Sequence, residues 1–292
     1  MNNWIKNNME SLIGVNVAIT GATGGLGIEV CKHLVACGAN LILVNRSLSK
    51  SEQLKSELLK NFSSIKIEII IADLSDFESV KNATEQLKQY KVDILILNAG
   101  IYCVPRYITE VGYDNVFTTN FISHYYMVKQ LLPILKKSDK GKVVVVGSIA
   151  HNYTKLNECD IDFALNTKHS KVYGNSKRFL MFALDELFKG EDKVKLSVVH
   201  PGVTFTNITN HYPKFIYALI KYPMKFLFPS PKRASLNILA GVFKDVGYHC
   251  WIGPKIFNVW GKPKLSKLKT CSIHESDKIF KISENIYNKL IK

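Results

Sequence analysis

Two residues four positions apart, Tyr173 and Lys177, could carry out acid–base chemistry. On a helix they share one face, where a cation close to a phenol lowers the phenol's pKa from about 10 toward working pH. Because Tyr-x-x-x-Lys is common by chance, its meaning depends on two features before it in the chain: Ser148 and a glycine-rich turn, Thr20–Gly27. Together these residues predict proton transfer beside a bound nucleotide.

The glycine-rich turn follows a predicted strand and opens a predicted helix. Gly21, Gly25 and Gly27 would allow a tight turn, close approach to a pyrophosphate, and close packing of helix on strand. The helix N-terminus would supply free N–H groups and a positive dipole end for phosphate. A turn selected only for its geometry is the alternative. The absence of Gly-Lys-Ser/Thr argues against a nucleoside triphosphatase loop.

Short apolar runs alternate with longer helical patterns along the chain. Near-continuous apolar strands between helices predict a parallel sheet covered by helices on both faces. With no repeat and no linker, we expect one domain over residues 1–292, ending in a tail after about residue 262. The predicted strands are Asn16–Thr20, Asn40–Asn45, Ile65–Ile71, Asp93–Leu97, Lys142–Gly147, Leu196–His200 and Tyr248–Ile252. The predicted helices are Gly25–Cys37, Leu48–Asn61, Phe77–Tyr90, Tyr113–Lys136 and Lys171–Phe188.

The ends of the predicted strands carry cofactor-type residues. An acidic residue at the end of the second strand would bind the ribose hydroxyls of NAD, but this strand ends at Asn45 and is followed by Arg46. Arg46 could face a 2′-phosphate, which favours NADP, or it could be an ordinary exposed arginine. Asp73 and Leu74 end the third strand, where an adenine would lie. The small residues Asn98–Gly100 end the fourth and leave room for a cofactor.

In this order, the motifs resemble the short-chain dehydrogenase/reductase family over residues 15 to about 206. The motifs are Gly21-x-x-x-Gly25-x-Gly27, Asn98-Ala-Gly100, Ser148, Tyr173-x-x-x-Lys177 and Pro201-Gly202. The resemblance implies a three-layer, doubly wound Rossmann fold with a parallel sheet of about seven strands. It also implies NAD(P) binding and the oxidation or reduction of alcohols and carbonyls. NADP is the expected cofactor, with NAD as the alternative.

The resemblance also implies roles for individual residues. Tyr173 would be the acid/base, Lys177 would lower its pKa and bind the nicotinamide ribose, Ser148 would hydrogen-bond the substrate oxygen, and Asn120 would hold a water for proton relay. We expect no metal. The implied cofactor-binding residues are Gly21, Thr23, Gly25, Leu26, Gly27, Arg46, Asp73, Leu74, Asn98, Ala99, Gly100, Tyr173, Lys177, Pro201, Gly202, Val203 and Thr206.

The spacing from Ser148 to Tyr173 is 25 residues, longer than in most members of that family. The stretch Gly147–His151 and the insert Asp160–Phe163 are similar to its retinol dehydrogenase-like branch. The branch implies a lipophilic substrate, such as a retinoid-, steroid- or lipid-like alcohol or carbonyl. A lid over this substrate is expected near residues 204–230. There, the aromatic and lysine-containing stretch 211–228 could line a lipophilic pocket, lie on a membrane, or pack on the core.

Composition limits the classes of partner that we expect the protein to bind. The formal net charge is +15, but there is no dense basic run, so we expect no nucleic acid. The six cysteines form no Cys-x-x-Cys pair and indicate a reducing compartment. We expect a cytoplasmic protein, with membrane association left open, and by resemblance a homodimer or homotetramer. Two rival functions stay open: a non-catalytic NADP(H) sensor or interaction module, and a sugar-nucleotide epimerase.

Overall fold

The computed structural model describes residues 2–203 and 229–292. Its centre is a sheet of eight strands in the order β3-β2-β1-β4-β5-β6-β7-β8. The first seven are parallel, and β8 pairs antiparallel with β7. The strands are β1 Asn16–Thr20, β2 Asn40–Asn45, β3 Ile67–Ile71, β4 Ile94–Leu97, β5 Lys142–Val146, β6 Lys195–Val199, β7 Cys250–Ile256 and β8 Trp260–Lys267.

Helices cover both faces of this sheet, which confirms the doubly wound three-layer fold. One face carries α2, α3 and α8, and the other carries α4, α6, α7 and α9. The described helices are α1 Asn2–Asn8, α2 Gly25–Ala36, α3 Leu48–Asn61, α4 Phe77–Lys88, α5 Asn115–Phe117, α6 Ser123–Leu135, α7 His169–Leu187, α8 Pro231–Phe243 and α9 Ile273–Leu290. None of the helices in the described ranges is long and apolar enough to cross a membrane.

Strand β5 shows why an unbroken apolar run is stable here. Side chains alternate between the two faces of a strand. Val143 and Val145 accordingly enter the core beneath α4, α6, α7 and α9, whereas Val144 and Val146 enter the core beneath α2, α3 and α8. Because both faces are buried, each valine contributes to one of the two cores.

The prediction of a tail after about residue 262 was wrong. Residues from 260 onward form β8, which pairs with β7, and α9, which buries Ile279 and Ile286 against the face made by α6 and α7. The start of α9 was readable from the sequence: Ser272 caps the helix by accepting from the backbone N–H of Glu275, 3.1 Å away.

The strand order reverses between β1 and β4. In an open parallel sheet, the carboxyl ends of strands that diverge at such a point leave a crevice in which ligands bind. The glycine-rich turn follows β1, and Asn98–Gly100 follows β4, so both predicted cofactor segments border this crevice. The predicted lid, residues 204–230, lies outside the described residues apart from its last two positions, and Thr206 lies outside them as well.

Candidate active site

The structure brings Tyr173 and Ser148 into contact. The side chain of Tyr173 is half-buried, and desolvation of its phenol raises its pKa to about 12, although the hydrogen bond with the Ser148 side chain lowers it. The sequence predicted that Lys177 lowers the pKa of Tyr173 toward neutral. The pKa is raised instead, so this prediction was wrong. Desolvation disfavours the phenolate and outweighs the serine hydrogen bond. Tyr173 is therefore protonated at neutral pH.

Lys177 lies beside the same phenol and is buried. Its Nζ donates to the carbonyl oxygen of Val146 at 2.9 Å and lies 5.9 Å from the centre of the Tyr173 ring. Burial lowers the pKa of Lys177 to about 8. Gly100 faces this ammonium so closely that a Cβ there would lie 3.4 Å from Nζ. The small residue predicted after β4 therefore leaves room beside the lysine.

Ser148 is fixed by a short 3-10 turn, Ile149–Tyr153, which follows β5. Its hydroxyl caps the turn by accepting from the N–H of Ala150 at 3.2 Å. The Nδ1 of buried His151 lies 2.6 Å from the carbonyl oxygen of Ser148, and its Nε2 lies 2.7 Å from the hydroxyl of Thr270. A carbonyl can only accept, so Nδ1 carries the hydrogen and Thr270 donates to Nε2. Burial lowers the pKa of His151 to about 4, which keeps this neutral tautomer.

Asn120 lies in a π-helical turn, Thr118–Ile122, between α5 and α6. Its carboxamide accepts from the N–H of Ile101 at 2.8 Å and donates to the carbonyl of Ile101 and the hydroxyl of Ser176, both at 3.0 Å. Asn120 thus links the segment after β4 to α7, the helix that carries Tyr173. Its role in holding a water stays a prediction.

The glycine-rich turn has the geometry of a phosphate cradle. Gly21 has a φ of +66°, and a Cβ there would lie 2.8 Å from the Cα of Ala99. A Cβ on Gly27 would lie 2.4 Å from the carbonyl oxygen of Gly21. Both positions require glycine because of backbone contacts. Helix α2 begins at Gly25, so Gly25, Leu26 and Gly27 form its first turn, whose N–H groups face the cradle.

A polar network that the sequence reasoning missed joins this turn to the end of β4. The hydroxyl of Thr20 accepts from the N–H groups of Asn98 and Ala99, each at 3.0 Å. The amide of Asn98 donates to the carbonyls of Thr20 and Gly21. Buried His124 completes the network, with Nε2 3.0 Å from the Thr20 hydroxyl. The side chain of Asn98 therefore joins the backbone of the glycine-rich turn to the end of β4.

Arg46 lies at the other end of the crevice, just after β2. Its side chain is 78% exposed, and its Nη1 lies 3.8 Å from Oδ2 of Asp73. Asn45 is buried instead, with its carboxamide hydrogen-bonded to the N–H of Thr23 at 3.4 Å and to the hydroxyl of Ser51 at 3.0 Å. Of the two neighbours, only Arg46 can reach a ligand. Leu74, after Asp73, is buried.

The segment after β6 carries Pro201, Gly202 and Val203. Gly202 has a φ of +91°, and a Cβ there would lie 3.0 Å from the carbonyl oxygen of Val259 in the turn between β7 and β8. The preceding His200 stacks on Trp251 with ring centres 5.3 Å apart. His200 therefore has a packing role.

A second network that the sequence did not reveal surrounds Arg178, next to Lys177. Its guanidinium donates to both carboxylate oxygens of Glu275, to the carbonyl of His151 at 3.1 Å, and to the carbonyl of Thr270 at 2.8 Å. Burial raises the pKa of Glu275, but hydrogen bonds from Arg178 and Leu156 outweigh burial and leave it below its usual range. This network connects the start of α9 to the turn that holds Ser148.

The two ends of the crevice fit a nicotinamide dinucleotide, with a phosphate cradle between an arginine and an acid–base pair. Hydride transfer needs such a pair, because the carbon–oxygen group that exchanges a hydride must also gain or lose a proton at oxygen. The class is therefore a dinucleotide-dependent oxidoreductase. No group of three or more metal-ligating side chains converges within residues 2–203 and 229–292.

Comparisons with known proteins define the family. The family described as short chain dehydrogenase matches residues 15–215. An uncharacterized oxidoreductase of Schizosaccharomyces pombe is 32% identical over 81% of this chain and 74% of its own length. Human polyprenol dehydrogenase is 30% identical, with 66% of this chain and 62% of its own length covered. Mouse retinol dehydrogenase 14 is 30% identical, with 68% and 64% covered. The chain belongs to the short-chain dehydrogenase family of oxidoreductases.

Solved structures agree on the fold. A protein from Mycobacterium paratuberculosis superposes with a TM-score of 0.76 at 22% identity and covers 97% of both chains. A short-chain dehydrogenase from Sphingobium yanoikuyae in complex with NADPH superposes with a TM-score of 0.53 at 24% identity, covering 67% of this chain and 73% of its own. At these identities the likeness establishes the doubly wound architecture.

Proposed function

We propose that the protein is an NADP-dependent carbonyl reductase or alcohol dehydrogenase that acts on hydrophobic alcohols or carbonyls of retinoid, steroid or lipid type. The observation that carries the proposal is the contact between the Ser148 hydroxyl and the phenol of Tyr173, with buried Lys177 beside it. A non-catalytic NADP(H) sensor would not need a serine, a phenol and an ammonium side by side.

The chain's own residues suit the reductive direction. When bound, the cofactor supplies the hydride. Tyr173 is protonated at neutral pH, because its pKa lies near 12, and it donates this proton to the substrate oxygen as a general acid. Ser148 hydrogen-bonds the same oxygen and orients it toward the phenol. Lys177 holds its ammonium next to Tyr173 and to Gly100, where it would bind the nicotinamide ribose.

NADP preference rests on Arg46. Its guanidinium is exposed after β2, and a guanidinium grips a phosphate dianion with two charge-assisted hydrogen bonds. Such bonds contribute roughly 1.5–3 kcal/mol, which corresponds to about 10- to 100-fold in cofactor preference. Asp73, which follows β3, lies 3.8 Å from Arg46.

Exchange of the charge at this position tests the cofactor proposal. In Arg46→Asp, the ratio of kcat/KM for NADPH to that for NADH should fall at least about tenfold, chiefly through the cofactor's KM. Lys60→Asp, at the far end of α3, changes the net charge equally and should leave the ratio unchanged. A wild-type preference for NADH, or an unchanged preference in Arg46→Asp, would contradict the assignment.

Two observations support a lipophilic substrate. The ring of Tyr102 packs edge-on against Tyr173 with centres 5.2 Å apart, so the described wall beside the acid is aromatic. The relatives include proteins named for a polyprenol and a retinol. The stretch 211–228, predicted to form part of the lid, adds further aromatic residues from sequence alone.

A substrate panel tests the activity. Oxidation of NADPH is followed with retinal, a steroid ketone, a long-chain aldehyde and short polar aldehydes, using Tyr173→Phe as the catalytic control. We expect turnover of the lipophilic compounds and a loss of about 10²–10⁴-fold in the variant. Tight NADPH binding without turnover of any compound would favour the sensor. Light scattering on the same sample tests the predicted homodimer or homotetramer.

A further inference from the structure

The hairpin of β7 and β8 ends in a turn whose backbone does not suit its sequence. Phe257 and Asn258 both have positive φ angles, +50° and +56°, and the N–H of Val259 donates to the carbonyl of Ile256 at 3.0 Å. Two residues with positive φ are typical of the tight turn that joins antiparallel strands, and glycine and asparagine are favoured there. A bulky phenylalanine at such a position is an outlier that calls for an explanation.

Packing within the chain does not supply that explanation. The side chain of Phe257 is 81% exposed, and Ile256, next to it, is 50% exposed. Ile256 pairs across the hairpin with Trp260, which is also partly exposed. The tip therefore presents the large apolar side chains of Phe257, Ile256 and Trp260 to the outside.

The hairpin is also strongly basic. Between Asp245 and Glu275 the sequence has no acidic residue. Within residues 2–203 and 229–292, none of the five lysines of this stretch forms a salt bridge, and all five are exposed. The lysines are Lys255, Lys262, Lys264, Lys267 and Lys269. Lys255 and Lys262 lie next to the apolar tip, whereas Lys264 pairs with Gly253 further along the hairpin and Lys267 pairs with Cys250 at its other end.

The tip lies at the active-site edge of the sheet. Strand β7 is parallel to β6, so its carboxyl end shares the edge that carries the cofactor crevice. The carbonyl of Asn258 contacts Nε2 of His200 at 3.1 Å, and the backbone of Val259 lies against Gly202. The apolar tip is therefore next to the segment that follows β6, at the same edge of the sheet as the cofactor crevice.

We propose that this hairpin docks the protein on an anionic lipid surface, with Phe257, Ile256 and Trp260 in the headgroup region and the lysines against lipid phosphates. Aromatic side chains partition into this region, and basic residues near it are attracted by anionic lipids. Because the hairpin is basic, it favours an anionic partner. Because the ring of Phe257 is exposed at its tip, that partner must also accept an inserted apolar side chain. The docking does not depend on the proposed function. If that function holds, a lipophilic substrate would reach the crevice directly from the bilayer.

Vesicle binding of the full chain tests the proposal. Sedimentation is measured with phosphatidylcholine vesicles and with vesicles that also contain phosphatidylserine. We expect binding to the anionic vesicles, weakened at least about tenfold in Phe257→Gly because the ring is lost. Glycine suits the positive φ, so this variant should fold at least as well as the wild type. Ile13→Ser, which changes an exposed apolar residue before β1 at the opposite edge, is the matched control.

The charge is tested in the same assay. Lys262→Gln with Lys264→Gln should weaken binding roughly 30-fold, whereas Lys60→Gln with Lys66→Gln should not. Equal binding by all variants, or no binding by the wild type, would overturn the proposal. So would light scattering that shows Phe257→Gly dissociating an oligomer, because the hairpin would then be an interface between copies. NADPH titration of each variant separates this result from any failure of the proposed activity.

Discussion

Arg178 and Glu275 form a bidentate ion pair that joins the catalytic helix to the helix after β8. Nε of Arg178 lies 2.9 Å from Oε1, and Nη2 lies 2.7 Å from Oε2. The guanidinium is 1% exposed, and its other donors reach the carbonyls of His151 and Thr270. The residue next to Lys177 is thus a buried charge whose partner is 97 positions away.

Loss of the carboxylate should therefore be severe. Glu275→Gln leaves a buried guanidinium without its counter-charge, and we expect the free energy of unfolding to fall by about 3–5 kcal/mol. The control is Lys278→Ala on the same helix, which breaks the exposed pair with Glu158 and should cost less than about 1 kcal/mol. Urea denaturation of both variants measures the difference. Similar midpoints for the two would contradict the buried-pair interpretation.

Thr270 should act on catalysis through His151. Thr270→Val removes the donor to Nε2 of His151, the residue that holds the carbonyl of Ser148. A displaced serine should lower kcat about 10- to 100-fold while the affinity for NADPH is unchanged. Hydrogen exchange should also increase in the turn Ile149–Tyr153.

Ser272→Ala separates positioning from stability in that experiment. This variant removes the cap of α9, which costs about 1 kcal/mol, but Ser272 has no hydrogen bond to the turn that holds Ser148 in the described part of the chain. We expect its kcat to stay near that of the wild type. A kcat in Thr270→Val no lower than in Ser272→Ala would refute the positioning role.

Lys177 should reduce stability at neutral pH. Burial lowers its pKa from 10.5 to about 8, so the folded state binds the proton of Lys177 more weakly than the unfolded state does. The cost is full below pH 8 and disappears as pH rises to about 10.5. Lys177→Met should thus be more stable than the wild type by up to about 3 kcal/mol at pH 7, and inactive. Denaturation at pH 7 and at pH 10 measures the gain, and an equal gain at both values would contradict it.

The cradle glycine should be more sensitive than another glycine with the same backbone. Gly21→Ala adds a Cβ 2.8 Å from Ala99 at a φ of +66°, whereas Gly14→Ala adds one with nothing within 4 Å at a φ of +79°. The positive φ strains both variants by about 1 kcal/mol, but only Gly21→Ala adds a contact with the backbone of Ala99 and should also weaken NADPH binding. Fluorescence titration of the cofactor measures this. Equal losses of affinity would argue against the phosphate cradle.

Local sequence patterns were enough for most of the fold. Strands such as β5 were predictable because an unbroken valine run must be buried on both faces. The cradle was predictable because Gly21 and Gly27 occupy positions where backbone contacts exclude a side chain. Tyr173 and Lys177 were found together because helical spacing alone places them on one face.

Long-range contacts and burial were not predictable in this way. No pattern near Arg178 in the sequence predicts its ion pair with Glu275. From the sequence alone, Arg178 would be taken for an ordinary exposed cation. The pKa of Tyr173 was predicted in the wrong direction because proximity of a lysine is a matter of spacing, whereas desolvation depends on the whole surrounding core. The capping serine of α9, Ser272, is a local signal, but the segment was predicted to be a tail.

The distance between Arg178 and Glu275 along the chain also sets an order of events during synthesis. At about 5–20 residues per second, the ribosome adds Glu275 roughly 5–20 seconds after Arg178. Until then, a nascent chain that packed its core would bury the guanidinium of Arg178 without a counter-charge. Helix α7 must therefore stay solvated or loosely packed. A chain that is stalled or cut before Glu275 would consequently leave the guanidinium of Arg178 without its carboxylate partner.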